Sequence, residues 1–311
     1  MTGFLVGPSD LRVRATHGPV VILDATVELA KPARDGDHRS APGLAGWAEA
    51  HIPGSRHADL LHDLSDPEAG YHFARLDAPV LAGRLAELGV HEGVPVVTYD
   101  RADGIWASRL WWLLDWLGLE ACVLDGGLRA WQSEGFPVER AVLSPRAVSS
   151  SRAVSSSRVD VGFGAGPDSA RYGRWVGRAD VEAWLAGRVD ATVVCALDPA
   201  AFAGEVPTRY SRRGHIPGTG NVPARSLLGP DGRFRPEPEL RDLLGDLLDD
   251  PAPIWLYCGG GISATTLGLA LRALGREDVA VYDGSLEEWS ADPALPLDRG
   301  RALPLDPGWA G

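Results

Sequence analysis

Short apolar runs alternate with stretches whose apolar positions recur every three or four residues, and the alternation is present in both halves of the chain. In the first half, Val20–Leu23, Val94–Tyr99 and Cys122–Leu124 read as buried strands, because continuous runs of this kind suit a strand covered on both faces. Val80–Leu88 and Ala107–Leu117 have helical spacing and stop at Gly89 and Gly118, residues suited to closing a helix. The second half repeats the scheme, with strands at Ala191–Val194, Ile254–Tyr257 and Val279–Tyr282 and a helix at Ser263–Leu274. Strands separated by helices of about ten residues predict an α/β fold, a parallel sheet with helices on both faces. The 311 residues suffice for two such domains, expected at 1–140 and 171–311. Between them, at 141–170, Arg146–Arg158 reads as a tandem Arg-Ala-Val-Ser-Ser-Ser, followed by a glycine-rich run. That composition buries too little apolar area to offset its ordering entropy, which predicts a linker.

The halves are copies of one another. His-Ile-Pro-Gly occurs at 51–54 and again at 215–218. After each copy comes a strand, ending at Asp100 in the first and at Cys258 in the second. Twenty-five residues later, in both, comes Asp-Gly-x-Leu-x-x-Trp, starting at Asp125 and at Asp283. A carboxylate in one copy therefore holds the place of a thiol in the other, which predicts one working site and one scaffold. The two repeated histidines are expected to fix turns through ring hydrogen bonds.

Charge and cysteine content narrow the chemistry. A net charge of −12 disfavours nucleic acid and anionic membranes as partners. No apolar run approaches the roughly 20 residues of a membrane span, and no charged segment leads into a long apolar one at the N-terminus, so a cytoplasmic protein is expected. Cys122, Cys195 and Cys258 show no Cys-x-x-Cys spacing and no sign of pairing, and the eight histidines form no paired helical motif. Neither a metal nor another cofactor is expected.

Cys258 follows a strand and precedes Gly259, Gly260, Gly261, Ile262 and Ser263, where a helix opens. Glycines let the backbone turn sharply and aim its N–H groups inward, and the helix start adds unpaired N–H groups and a positive dipole end. A sulfur at the centre of that ring is expected as the thiolate, the reactive form of cysteine. The alternative is a buried core cysteine beside a tight turn, the reading preferred for Cys122. Ser263 could serve as a helix cap only.

Together, Tyr257-Cys258-Gly-Gly-Gly-Ile-Ser-Ala, Gly214-His-Ile-Pro-Gly218, and Tyr282-Asp-Gly-Ser285 with Glu288-Trp289 resemble the tandem-domain rhodanese family, the thiosulfate and 3-mercaptopyruvate sulfurtransferases. Tyr99-Asp100-Arg101 and Arg109–Leu114 resemble that family's inactive domain. The resemblance spans almost the whole chain. It implies that Cys258 takes a sulfane sulfur from a small anionic donor as a persulfide and passes it to a thiol, thioredoxin or cyanide. It also implies donor contacts from Arg209, His72 and Asp63. In that family an uncharged loop after the cysteine accompanies 3-mercaptopyruvate and a basic loop accompanies thiosulfate. The uncharged loop here points to mercaptopyruvate. Three departures point away from it: Gly260 where those members carry serine, Cys195-Ala-Leu197 where they carry Asp-Ala-Arg, and Ala201 where an arginine precedes the phenylalanine. Arg209, Arg212 and Arg213, clustered in an acidic chain, are expected to give an anionic donor a local positive field.

Two rivals follow from the same residues. A cysteine phosphatase of related fold needs an arginine six residues after the nucleophile to clamp phosphate, but that position is Ala264. A non-catalytic module that binds or carries persulfide is the other alternative.

Overall fold

The computed structural model describes residues 3–143 and 173–301. Most of the linker expected at 141–170, with its Arg-Ala-Val-Ser-Ser-Ser repeat, lies outside the described residues.

In chain order, the first half contains β1 Leu5–Val6, α1 Pro8–His17, β2 Val21–Asp24, β3 Val27–Leu29, β4 Ser40–Pro42, α2 Leu44–Glu49, β5 Arg56–His57, α3 Ala78–Glu87, β6 Val96–Tyr99, α4 Ile105–Trp116, β7 Ala121–Leu124 and α5 Gly127–Ser133. The second half contains β8 Trp175–Val176, α6 Arg178–Leu185, β9 Thr192–Cys195, α7 Pro199–Phe202, β10 Gly220–Asn221, a 3₁₀ turn at Ala224–Leu227, α8 Glu237–Asp249, β11 Ile254–Tyr257, α9 Ser263–Ala273, β12 Val279–Tyr282 and α10 Ser285–Ala291.

Each half builds a five-stranded parallel sheet, in the order β1-β7-β6-β2-β5 and, strand for strand, β8-β12-β11-β9-β10. The central strands β6 and β11 are those that end at Asp100 and Cys258. Alternate side chains point to opposite faces, as strand geometry requires. Val96 and Leu23 meet one core, while Val97, Ile22 and Tyr99 meet another. Ile254 and Leu256 join the same core as Val96, whereas Tyr257 faces away from it. One apolar core thus runs between the two sheets, and each sheet has a second core on its outer face. Arginine at 174 and 272 brackets the buried Asp115 in that central layer, at 2.9 and 3.3 Å.

The helices that follow the two central strands, α4 and α9, pack against each other at the middle of the molecule. Gly268 on α9 makes room for Trp112 on α4, since a Cβ there would lie 2.6 Å from the indole ring. The tryptophans of α4 are core and interface residues, all of them buried.

The repeated tetrapeptide has a structural task. The Ile52 and Ile216 N–H groups donate to the hydroxyls of Tyr99 and Tyr257, at 3.3 and 3.1 Å. His51 Nδ1 lies 2.8 Å from the Trp47 carbonyl and stacks on its ring; His215 does the same with Phe202, at 3.0 Å. Each histidine therefore anchors the turn that feeds an edge strand, as expected from the sequence.

Candidate active site

In open α/β sheets, ligand sites form beyond the carboxyl ends of the strands. Cys258 occupies that position on the central strand of the second sheet and is 2% exposed. Its N–H donates to the Ser285 hydroxyl at 3.1 Å, which in turn donates to the Tyr282 carbonyl at 2.8 Å. Ser285 pays for this contact with a left-handed backbone, φ +48°. The Leu286 N–H donates to the Cys258 carbonyl at 3.1 Å, and the Glu287 N–H donates to that of Gly259 at 2.8 Å. The start of α10 therefore clamps the backbone at Cys258 and Gly259.

Gly261 supplies the sharp turn, with φ +72° and only 2.6 Å between its would-be Cβ and the Asp283 carbonyl. Among the described residues, the N–H groups of Gly259, Gly260, Gly261, Ile262, Ser263 and Ala264 meet no acceptor within the protein. Ser263 opens α9 half-buried, with no side-chain cap formed there.

The first half shows what such a ring of donors holds. The Asp100 carboxylate accepts from Ala102 and Gly104 through Oδ1, at 2.9 and 3.0 Å. Through Oδ2 it accepts from Trp106 and Ala107, at 2.9 and 3.0 Å. Helix α4 begins five residues after Asp100, just as α9 begins five after Cys258. By that register the four donors correspond to Gly260, Ile262, Ala264 and Thr265. The first three have no acceptor, and only Thr265 is satisfied locally, by the Ile262 carbonyl at 3.0 Å. A built-in carboxyl group closes the first loop, while the corresponding donors after Cys258 are left without a protein acceptor.

The first half also reaches into this site. Arg109 on α4, 1% exposed, donates to the Gly261 carbonyl at 3.2 Å, to the Phe73 carbonyl at 2.6 Å and to Asp283 Oδ1 at 2.7 Å. Asp283 Oδ2 also accepts from the Arg75 N–H at 2.8 Å. Its counterpart in the repeat, Asp125, accepts from the Phe234 N–H of the second half at 2.8 Å. The Asp that opens each Asp-Gly-x-Leu-x-x-Trp motif is therefore a latch to the other half. The loop between β3 and β4 forms a further wall: Asp35 pairs with Arg213 at 2.8 Å, and the Gly36 N–H bonds the carbonyls of Thr208 and Tyr210 at 3.0 Å.

The expected donor contacts separate into two groups. His72 lies at the mouth, with Nδ1 against Glu287 Oε1 and its ring stacked on His38, centroids 3.6 Å apart and planes 7° apart. Arg209 lies beside this pair, half-buried, and its charge helps burial and His72 to hold the His38 pKa down. Its Nη2 donates to the Ala30 carbonyl at 2.8 Å, while its Nε has no partner. Asp63 is not brought to this place. It is exposed, and its charged neighbours are Asp59, Arg84, His62 and Glu87 of the first half.

The three-arginine field also resolves differently from the expectation. Arg212 donates to the carbonyls at the end of α10, among them Ser290 and Asp292 at 2.8 and 2.6 Å. Arg213 is neutralised by Asp35. Only Arg209 is left to meet an anion.

His38, His72 and Glu287 place three metal-capable atoms within 4.8 Å of one another. The parallel rings run their in-plane lone pairs side by side rather than toward a common point, and His72 Nδ1 is engaged with the carboxylate. The trio is one hydrogen-bonded pair, His72 and Glu287, with the His38 ring stacked on it and His38 Nδ1 left without a hydrogen-bond partner. Ser285, Glu287, Arg109 and His38 were not singled out from the sequence as site residues. Comparing the two copies position by position offers a signal for two of them: serine replaces Gly127 at 285, and glutamate replaces Arg129 at 287.

Fold and site together define a two-domain α/β protein with one cysteine-centred anion cradle and one copy closed by its own carboxylate. The profile of the Rhodanese-like domain matches residues 8–134 and 199–292. The chain belongs to the rhodanese-like family and is a sulfurtransferase.

SseB of Mycobacterium tuberculosis, named for thiosulfate sulfurtransferase activity, is 33% identical over 289 residues, 91% of this chain and 92% of that protein. Human 3-mercaptopyruvate sulfurtransferase is 30% identical over 94% of this chain and 92% of its own length. The crystal structure of SseA from Escherichia coli, described as a 3-mercaptopyruvate sulfotransferase, superposes with a TM-score of 0.71 at 28% identity, covering 91% of this chain and 99% of that one. No helix among the described residues is long and apolar enough to cross a membrane.

Proposed function

We propose that Cys258 is the nucleophile that carries the transferred sulfur, as a persulfide between an anionic donor and a thiophilic acceptor. The observation that carries this reading is the pair of rings. Asp100 takes four backbone N–H donors on its carboxyl oxygens, and the corresponding loop after Cys258 has three of those donors unclaimed. A thiolate attacks the donor's transferable sulfur, expelling sulfite from thiosulfate or the pyruvate enolate from 3-mercaptopyruvate, and the loop amides then hold the terminal sulfur of the persulfide. A second nucleophile, cyanide or a thiol, free or on thioredoxin, removes that sulfur and restores the thiolate.

Two donors fit. Thiosulfate and 3-mercaptopyruvate are small anions, and the relatives carry the names of both activities. In this reading Arg209 and His72 receive the donor's anionic end, and Asp63, whose charged neighbours are Asp59, His62, Arg84 and Glu87 of the first half, takes no part. The mercaptopyruvate reading is favoured by the uncharged loop and by the exposed His72 and half-buried Arg209 at one mouth.

The test is steady-state sulfur transfer to cyanide, with kcat/KM measured for both donors on the wild type and on Cys258→Ser. Cys258→Ser is expected to abolish transfer from either donor. Residual turnover of the variant with either donor contradicts the assignment of the nucleophile.

A further inference from the structure

The Glu287 carboxylate stands against the catalytic loop. A side chain at Gly260, two residues after the nucleophile, would begin 3.3 Å from Glu287 Oε2. Its own N–H is tied to the Gly259 carbonyl, so the residue is fixed relative to Cys258 by backbone as well as side chain. The other carboxylate oxygen meets His72 Nδ1, and His72 stacks on His38. The glutamate is mostly covered and the histidine is partly open to solvent, with side-chain exposures of 17% and 44%. In the copy without a nucleophile the equivalent position is Arg129, a group that does not release a proton.

The two candidate donors differ in what they ask of such a group. When a thiolate takes sulfur from thiosulfate, the S–S bond breaks and sulfite leaves with the electron pair. No proton has to move. When it takes sulfur from 3-mercaptopyruvate, a C–S bond breaks and the electron pair stays on carbon as the pyruvate enolate. The donor's S–H proton must leave sulfur, and one proton must reach that carbon. The products are pyruvate and the persulfide anion, and charge and atoms balance with no further reactant.

We propose that Glu287, held by His72, is the proton carrier for donors whose sulfur departs from carbon: it accepts the donor's thiol proton and returns it to the enolate carbon. This rests on Cys258 as the sulfur carrier and assigns the substrate class of that same site. His72 positions the carboxylate and connects it to solvent, and His38 supports the His72 ring by stacking. General acid–base groups of this kind contribute about 10²- to 10⁴-fold to a rate.

The experiment compares Glu287→Gln and His72→Gln with the wild type in three reactions of the same cysteine: pyruvate release from 3-mercaptopyruvate, sulfite release from thiosulfate, and alkylation by iodoacetamide. The last two need no proton carrier. For Glu287→Gln, kcat with mercaptopyruvate is expected to fall by about 100-fold. The ratio of the mercaptopyruvate rate to each proton-free rate is expected to fall at least about tenfold for Glu287→Gln, and for His72→Gln the ratio of kcat with mercaptopyruvate to kcat with thiosulfate, both at saturation, is expected to fall likewise. A wild-type solvent deuterium isotope effect on pyruvate release should shrink in Glu287→Gln as another route takes over.

Equal losses in all reactions overturn the proposal and assign Glu287 to holding the loop. An unchanged mercaptopyruvate rate overturns it as well, as does a wild type that releases no pyruvate. The alkylation control keeps the comparison readable if thiosulfate proves a poor donor. Failure of the Cys258 reading is distinct, because Cys258→Ser would then retain transfer from both donors.

Discussion

Asp100 and Cys258 are the two outcomes of one position. Burial pushes the Asp100 pKa up and backbone N–H donors pull against that; four such donors hold its two carboxyl oxygens, so Asp100→Asn places an amide N–H₂ against N–H groups that point at it. The expected cost is about 2 kcal/mol of stability, read by denaturant unfolding, with sulfur transfer retained at temperatures where the variant is folded. Loss of turnover in a fully folded Asp100→Asn protein would contradict the division into a working and a supporting half. Gly261 has the opposite sensitivity. Gly261→Ala must hold φ +72° and place a methyl 2.6 Å from the Asp283 carbonyl. A left-handed alanine alone costs about 1–2 kcal/mol, and relief of the clash moves the loop. Transfer is expected to fall far more than the melting temperature does; a variant with wild-type kcat/KM would show that the loop tolerates displacement.

At the scale of elements, the sequence was most legible where burial is complete. Ile254–Tyr257 and Val279–Tyr282 are strands with the bounds expected, since both faces of each are covered and the run is continuously apolar. The two-residue edge strands β1, β5, β8 and β10 leave no such run, and the hairpin β3–β4 docks through polar groups, Asp35 and backbone amides, that carry no hydrophobic period. The glycine loop after Cys258 was legible because glycines after a strand-borne cysteine have few other uses. Its supports were not: Arg109 lies in an apolar helix that reads as core, and its three acceptors come from residues 73, 261 and 283. Arg109→Leu leaves Asp283 without its ionic partner and is expected to cost about 3 kcal/mol. Because it also frees the Gly261 carbonyl, kcat should fall in the folded protein; an intact kcat would show that α4 does not hold the loop. Gly268→Val, which drives a side chain into Trp112, is expected to cost about 1–3 kcal/mol without a comparable effect on the chemistry, checked by the same unfolding and rate measurements.

The whole molecule is a pair of mutually latched halves, each Asp-Gly-x-Leu-x-x-Trp aspartate gripping the partner's backbone, with the mouth of the site shared between them. Two histidines make this assembly sensitive to acid. Burial, with His72 and Arg209 nearby, lowers the pKa of His38 from its ordinary 6.5, and burial lowers that of His215. Groups whose folded pKa is depressed bind protons more readily when unfolded, so their contribution is complete above about pH 6.5 and is lost as pH falls through the lower folded values. Melting temperatures should therefore decline below about pH 6.5, less steeply in His215→Asn; identical slopes would place the acid sensitivity elsewhere. A persulfide on Cys258, at the end of the second half's central strand, is detected by the mass of the intact protein after brief exposure to each donor without acceptor, followed by peptide mapping. An increase of roughly 32 Da, one sulfur atom, is expected on the peptide containing Cys258, removed by cyanide and absent from Cys258→Ser. An unmodified mass with both donors, or a sulfur adduct mapped to Cys122 or Cys195, would contradict the Cys258 assignment.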